Sequence, residues 1–364
     1  MDFFASGICR NDLFQFIENR VVKARLLSVH GAYFNSTMRF VDYCALGIRS
    51  VADAREKLAS FDKKISCRDA RLGKKYTSVG FDSFEVLKRL DKATAAMPYL
   101  PQKIMLDSGA FTAWTKGGSC SAEEVSNNYA SFIEKSGCLF DEIFLVNLDV
   151  IPGRFGSEPT SQQVDKAGVE SIKNFNLLQN RFPGRVLPVF HQGEDNAYLA
   201  KLVSLAENTS GYLCLSPRND LAESRRIAWA RDTSWMLKKT SPSLKLHGLA
   251  TMGAAMSREI SWDSGDSAAW IQNSGFGMID CFVPEHLSVQ RKDTFKSFRI
   301  SDVAKEVTES QLLFIEEASK ELGLTFDALK YDYRLRDIFN IHNRNKLAAV
   351  VGQAEKTPKQ EYLL

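Results

Sequence analysis

The chain has 364 residues, 44% of them hydrophobic and 25% charged, with a formal net charge of +3. That composition excludes disordered, collagen-like and low-complexity classes, and no apolar run approaches the roughly 18–20 residues of a membrane helix. The charge is too balanced to announce a nucleic-acid partner by itself, and the length suffices to bury a large core without a disulfide or metal staple.

The first residues, MDFFASGICRND, lack a basic segment followed by an apolar one, so no secretion signal is read. The seven cysteines (9, 44, 67, 120, 138, 214 and 281) form no CxxC or CxC pair. They are expected to be reduced thiols of a cytoplasmic protein, with no metal site. The first β-type run is RLLSVHG (25–31). About 70 residues then pass before the next one. Residues 51–100 hold eleven Lys and Arg against seven Asp and Glu, and DKKISCRDARLGKK (62–75) is the densest basic stretch. It reads either as a solvated surface or as a contact for a polyanion through Lys63, Lys64, Lys74 and Lys75.

From residue 103 onward, short apolar runs alternate with helical patterns. The runs are KIMLD (103–107), EIFLVNLD (142–149), RVLPVFH (185–191), GYLCLS (211–216), LKLHGLA (244–250), EISWDSGD (259–266) and GMIDCFV (277–283). Most are apolar nearly throughout, as expected of a parallel sheet covered on both faces. Between them, Ser121 with Glu124 forms a capping-box pattern, followed by Val125, Tyr129, Phe132 and Ile133 on one helical face. Val164, Gly168, Ile172 and Phe175 repeat the pattern, as do Leu199, Leu202, Val203 and Ala206. Eight strands in βαβ spacing predict an α/β fold, a (β/α)8 TIM-like barrel over residues 1–300 with a basic insertion at about 31–100 after the first strand. Residues 301–364 predict a helical C-terminal segment. No GxGxxG or GxxxxGK[ST] motif occurs, so dinucleotide and P-loop readings lose their support.

Barrel chemistry sits at the C-terminal strand ends. These ends read Asp107, Asp149, His191-Gln192-Gly193, Ser216, His247-Gly248 and Asp266. Two carboxylates facing one carbon suit glycosyl transfer, one attacking the anomeric carbon and the other handling protons. Asp107 and Asp266 are the candidates. Each also has a structural reading, because an Asp after a strand often caps a helix or holds a turn. His30, His286 and His342 are read as structural or surface residues. Arg225, Arg226, Arg231, Lys238 and Lys239 are read as a solvated helix face.

LDSGAF (106–111), NLDVIP (147–152), VFHQGE (189–194), LHGLAT (246–251) and SGDSAAW (264–270) occur in that order. Together they resemble the motifs of the tRNA-guanine transglycosylase superfamily. The finer resemblance is to its DNA-guanine transglycosylases (the DpdA type) of phages and bacterial islands, which insert 7-deazaguanines into DNA. The resemblance covers about residues 103–285. It implies Asp266 as nucleophile on C1′ of a guanine nucleotide and Asp107 as general acid/base. It further implies Asp149, Gln192, Gly193, Ser108 and Gly248 around the base, with Phe111 and His247 stacked on its faces. Asp263 also lies in an SxDS frame, but only Asp266 has Trp four residues later. The tRNA-acting members carry CxCxxC…His after the last strand, whereas only Cys281 and His286 stand in that region here. The expected partners are therefore DNA and a free 7-deazaguanine base, such as 7-cyano-7-deazaguanine. No cofactor and no membrane are implied, a homodimer stays open, and the setting is the cytoplasm of a bacterial host, with phage encoding as one source. The alternatives are the same exchange on tRNA, a hydrolytic N-glycosidase or glycoside hydrolase, and a non-catalytic nucleic-acid-binding subunit.

Overall fold

The computed structural model describes residues 1–8, 14–58, 61, 83–116, 118, 120–283, 294–300 and 307–353. Lys63, Lys64, Lys74, Lys75 and His286 lie outside the described residues. The strands are β1 (Asp2–Ser6), β2 (Ala24–Ser28), β3 (Lys103–Asp107), β4 (Glu142–Val146), β5 (Val186–Leu187), β6 (Val189–His191), β7 (Tyr212–Ser216), β8 (Lys245–Gly248), β9 (Ser264–Ser267), β10 (Met278–Val283) and β11 (Thr294–Arg299). The α-helices are α1 (Gln15–Val21), α2 (Ala32–Ala45), α3 (Val51–Lys57), α4 (Ser83–Thr94), α5 (Ala110–Lys116), α6 (Ala122–Ser136) and α7 (Ser161–Arg181). They continue as α8 (Asn196–Glu207), α9 (Glu223–Thr240), α10 (Ala254–Glu259), α11 (Ala269–Gly275), α12 (Glu309–Ser319), α13 (Phe326–Tyr331) and α14 (Tyr333–Gln353).

Nine strands pair in parallel in the order β5-β4-β3-β2-β1-β9-β8-β7-β6. The two ends of that order, β5 and β6, are consecutive in the chain and separated only by Pro188. Proline has no N–H to give to a ladder, so the strand is interrupted there. The Pro188 carbonyl still accepts the Cys214 N–H at 2.9 Å. The sheet therefore curls into a nearly closed barrel, a TIM-like α/β arrangement. Its interior is filled by alternate residues of successive strands: Phe4, Leu26, Met105, Val146, Val189 and Cys214 share one buried cluster.

The sequence reading differs from this arrangement in two places. The run GMIDCFV forms β10, but β10 pairs antiparallel with β11 in a separate two-stranded sheet, Met278 opposite Arg299 and Val283 opposite Thr294. Its expected place beside the last parallel strand is filled by β1, which pairs with both β2 and β9. The long segment that the sequence reading put after the first strand thus follows β2, and carries α2, α3 and α4 before β3.

The C-terminal segment packs on this body. Ile338, Phe339 and Ile341 of α14 share a buried cluster with Phe3 and Ala5 of β1 and with Ile279 and Cys281 of β10. The outer edge of β10 would expose N–H groups. Asn340 Oδ1 accepts the Asp280 N–H at 2.7 Å and Asn343 Oδ1 the Phe282 N–H at 2.9 Å. Residues two apart on a strand point their N–H groups the same way, and side chains three apart share one side of a helix, so the two spacings match. Arg344 pairs with Asp280 at 2.7 Å and donates to the Met252 carbonyl at 2.9 Å.

Candidate functional site

The inward parity that buries Phe4, Leu26, Met105, Val189 and Cys214 brings Ser6, Ser28, Asp107, His191 and Ser216 to the same face two residues later. The barrel interior is thus apolar in its middle and polar at the C-terminal strand ends. Strand pairing puts these groups in neighbouring positions, with Ser28 opposite Asp107 and His191 opposite Ser216.

Asp266 joins this layer from β9 and is fastened at both oxygens. Ser6 Oγ donates to Oδ2 at 2.6 Å, and the Ala250 N–H donates to Oδ1 at 2.8 Å. Ala250 holds φ +54, a left-handed conformation that costs a non-glycine residue about 1 kcal/mol or more. His247 Nε2 stands 3.4 Å from Oδ1, while His247 Nδ1 bonds Ser264 Oγ at 2.8 Å. The Trp of SGDSAAW has a part in this arrangement: buried Trp270 donates its indole N–H to the Ser6 carbonyl at 3.0 Å, fixing the residue whose hydroxyl holds Asp266. Asp263 is elsewhere. It precedes β9, three residues before Asp266, and binds Lys238 Nζ at 2.6 Å and the Leu246 N–H at 2.7 Å.

Asp107 ends β3 and accepts from the Gly109 N–H and the Ser28 hydroxyl. Burial, then the charges of Asp266 and Asp149, push its carboxyl up to about 7, outweighing those two hydrogen bonds. The charges of Asp266 and Asp149 are therefore close enough to act on Asp107. The glycine of LDSGAF is required by its backbone: Gly109 has φ +85, and a Cβ there would stand 2.1 Å from His30 Cβ. His30 Nδ1 in turn contacts Cys120 Sγ at 3.0 Å. Tyr129, buried on α6, donates to the Val146 carbonyl at 2.7 Å, next to the segment that carries Asp149.

Asp149 is buried and hydrogen-bonded to His191 Nε2. Burial disfavours the imidazolium, but the charge and hydrogen bond of Asp149 outweigh it and raise the His191 pKa. Behind them, Glu194 Oε2 accepts the His191 N–H at 2.7 Å. Burial pushes the Glu194 carboxyl up to about 7, against the opposing pull of His191.

The remaining expected residues fall in different settings. Gln192 Oε1 accepts the Arg218 N–H at 3.1 Å and Gln192 Nε2 donates to the Arg225 carbonyl at 3.4 Å. Gly193 follows at φ +106. Ser108 is fully buried, and Gly248 is packed so closely that a Cβ would stand 2.1 Å from Thr251 Oγ1. His247 has no exposed surface and meets Phe4 edge to face at 5.4 Å, whereas Phe111 lies at the surface, 43% exposed. Cys281 is buried within β10. The sequence reading missed Ser6, Ser28 and Glu194. A serine two residues beyond an inward apolar residue was the available signal for Ser28, while Ser6 sits on a strand the reading did not contain.

Fold and site together define an α/β protein with a nearly closed parallel barrel-like sheet and three carboxylates at its C-terminal strand ends, two of them buried. Comparison with protein-family models and with curated proteins finds no match for the chain.

Proposed function

We propose that this protein is a DNA-guanine transglycosylase, exchanging guanine in DNA for a 7-deazaguanine such as 7-cyano-7-deazaguanine through a covalent glycosyl–Asp266 ester. Counting β5, Pro188 and β6 as one strand gives eight parallel strands in a ring. We take these as a (β/α)8 barrel, with the segment between β2 and β3 as its insertion. The observation that carries the reading is the pairing of two unlike carboxyls: Asp266, fastened at both oxygens, and Asp107, which burial and the Asp266 charge push up to about 7. A nucleophile needs a fixed direction, and a general acid/base needs a pKa near working pH.

In this reading an Asp266 oxygen attacks C1′. The C1′–N9 bond breaks, its electron pair leaves with guanine, and guanine takes the Asp107 proton. The incoming base gives its N9 proton back to Asp107 and attacks C1′, releasing Asp266 as carboxylate. One proton is shuttled and nothing is oxidised. Asp149 is the acceptor for the amino and ring N–H donors of guanine, oriented by His191. Gln192 holds the Gly193 loop against Arg218 and Arg225, so that the Gly193 N–H is the donor for the base carbonyl. The missing CxCxxC pattern favours DNA over tRNA.

The test is denaturing electrophoresis of the protein incubated with a guanine-containing DNA oligonucleotide and 7-cyano-7-deazaguanine, followed by nucleoside mass spectrometry. A deazaguanine nucleoside that disappears in Asp266→Ala and persists in Asp263→Ala is the expected result. Exchange into tRNA alone would move the substrate. Abasic sites without base insertion would move the reaction to hydrolysis, and silence on both polymers would overturn the reading.

A further inference from the structure

The loops that follow Asp107 and Asp149 meet in an aromatic shelf. α5 starts three residues after Asp107 and carries Phe111 and Trp114, while the segment after Asp149 carries Arg154 and Phe155. Ring centroids stand 5.9 Å apart for Phe111–Trp114 and 5.3 Å for Trp114–Phe155. Phe155 is 50% exposed. The shelf is built to stay in place. Trp114 Nε1 donates to the Gly153 carbonyl at 3.1 Å, the Gly156 N–H to Asp220 at 2.9 Å, and Arg218 to the Ser157 carbonyl at 2.9 Å. Gly153, at φ +74, turns so tightly that a Cβ would stand 3.0 Å from Pro159.

A mobile loop can expose an aromatic ring because nothing holds it elsewhere. Here five consecutive residues (153–157) are tied at three points, and the ring between the ties still faces water. Exposed apolar surface of that kind marks a binding surface. The charges around it select the partner. Arg154, next to Phe155 in the chain, is an exposed cation. The nearby carboxylates of Asp220 and Glu158 are both engaged by Arg218, each at 2.7 Å. Exposed rings with an adjoining cation match a chain that alternates flat π-faces with phosphates, which is an unpaired nucleic-acid strand.

We propose that Trp114 and Phe155, continuing outward from Phe111, are a stacking shelf for an unpaired DNA strand, with Arg154 on its phosphates. The shelf holds nucleotides adjoining the one that enters the acidic site, so the preferred substrate is single-stranded or already opened DNA. This inference rests on the base-exchange reading for its polymer, while the surface itself is tested separately.

The experiment is fluorescence anisotropy of the full chain with a labelled single-stranded DNA oligonucleotide containing one guanine, over a salt series, with exchange measured on the same strand. Phe155→Ala is expected to weaken binding roughly 5- to 100-fold with the salt slope unchanged. Phe155→Trp is expected to restore it. Arg154→Ala should reduce the slope of log K against log salt by about 0.7. If the protein exchanges base while Phe155→Ala and Arg154→Ala leave affinity and slope unchanged, the shelf is wrong and the base-exchange reading stands. If the wild type binds the strand, loses it in Phe155→Ala and exchanges nothing, the shelf stands without that reading. No strand binding by the wild type would overturn the shelf, as would tighter binding to the intact duplex or to an RNA strand of the same sequence.

Discussion

Glu194→Gln isolates one buried proton. Glu194 accepts the His191 N–H through Oε2, and its Oε1 is buried with no hydrogen-bond partner among the described residues. Burial raises the carboxyl from its ordinary 4.5 to about 7, with His191 opposing and Asp149 and Asp195 adding to the rise. The folded state therefore binds this proton more tightly than the unfolded chain. The stability it contributes is fully present below about pH 4.5 and is lost as pH rises through about 7. At about 1.4 kcal/mol per pKa unit, the ceiling on that loss is about 3.5 kcal/mol. Glutamine keeps the shape and the acceptor for the His191 N–H but cannot ionise. Urea unfolding should therefore give stabilities within about 1 kcal/mol at pH 5 and a variant more stable by up to about 3.5 kcal/mol at pH 8. Asp107, also raised to about 7, slopes both proteins in the same sense and largely cancels in the difference. A variant–wild-type difference that does not change between pH 5 and 8 would refute the reasoning.

Three further outcomes are expected. Exchange activity of the wild type should fall as pH rises past about 7, as Asp107 loses its proton, and Asp107→Asn should lose at least about 100-fold in kcat, read as initial rates over a pH series. Gly109→Ala should destabilise by about 1–3 kcal/mol in chemical denaturation, because the new Cβ meets His30 and the backbone holds φ +85. Asn343→Ala should cost about 1–3 kcal/mol in the same assay, since the buried Phe282 N–H loses its acceptor, and amide exchange at Phe282 should quicken.

Local pattern carried much of the fold. The runs that became β2, β3, β4, β7 and β8 are apolar nearly throughout because both sheet faces are covered, and that property is written in each segment by itself. Pairing is not local. Residues 277–283 have the composition of a barrel strand, yet their partner is β11 and their other edge is satisfied by asparagines about 60 residues later. β1 is only five residues long, and its partner β9 lies some 260 residues away. The site follows the same division. Asp107, Asp149 and Asp266 were legible as acids ending apolar runs. Ser6, which holds Asp266, and the effect of the Asp266 charge on Asp107 depend on which strands close the ring. His247, for which the family resemblance implied a stacking face, is fully buried and packs against Phe4 and Ser264.

The pairing of β1 with β9 also bears on when the molecule can become complete during synthesis. β1 leaves the ribosome well before β9, the neighbour that follows about 260 residues later, between roughly 10 and 50 s at 5–20 residues per second. Asn345 of α14 reaches back to the Val21 carbonyl at 2.5 Å, so the last described helix also closes on the first. Until β9 is made, β1 lacks that neighbour and Asp107 lacks the charge of Asp266. Assembly of the acidic layer is therefore a late event, and nascent fragments ending before β9 have strand edges for chaperones to shield.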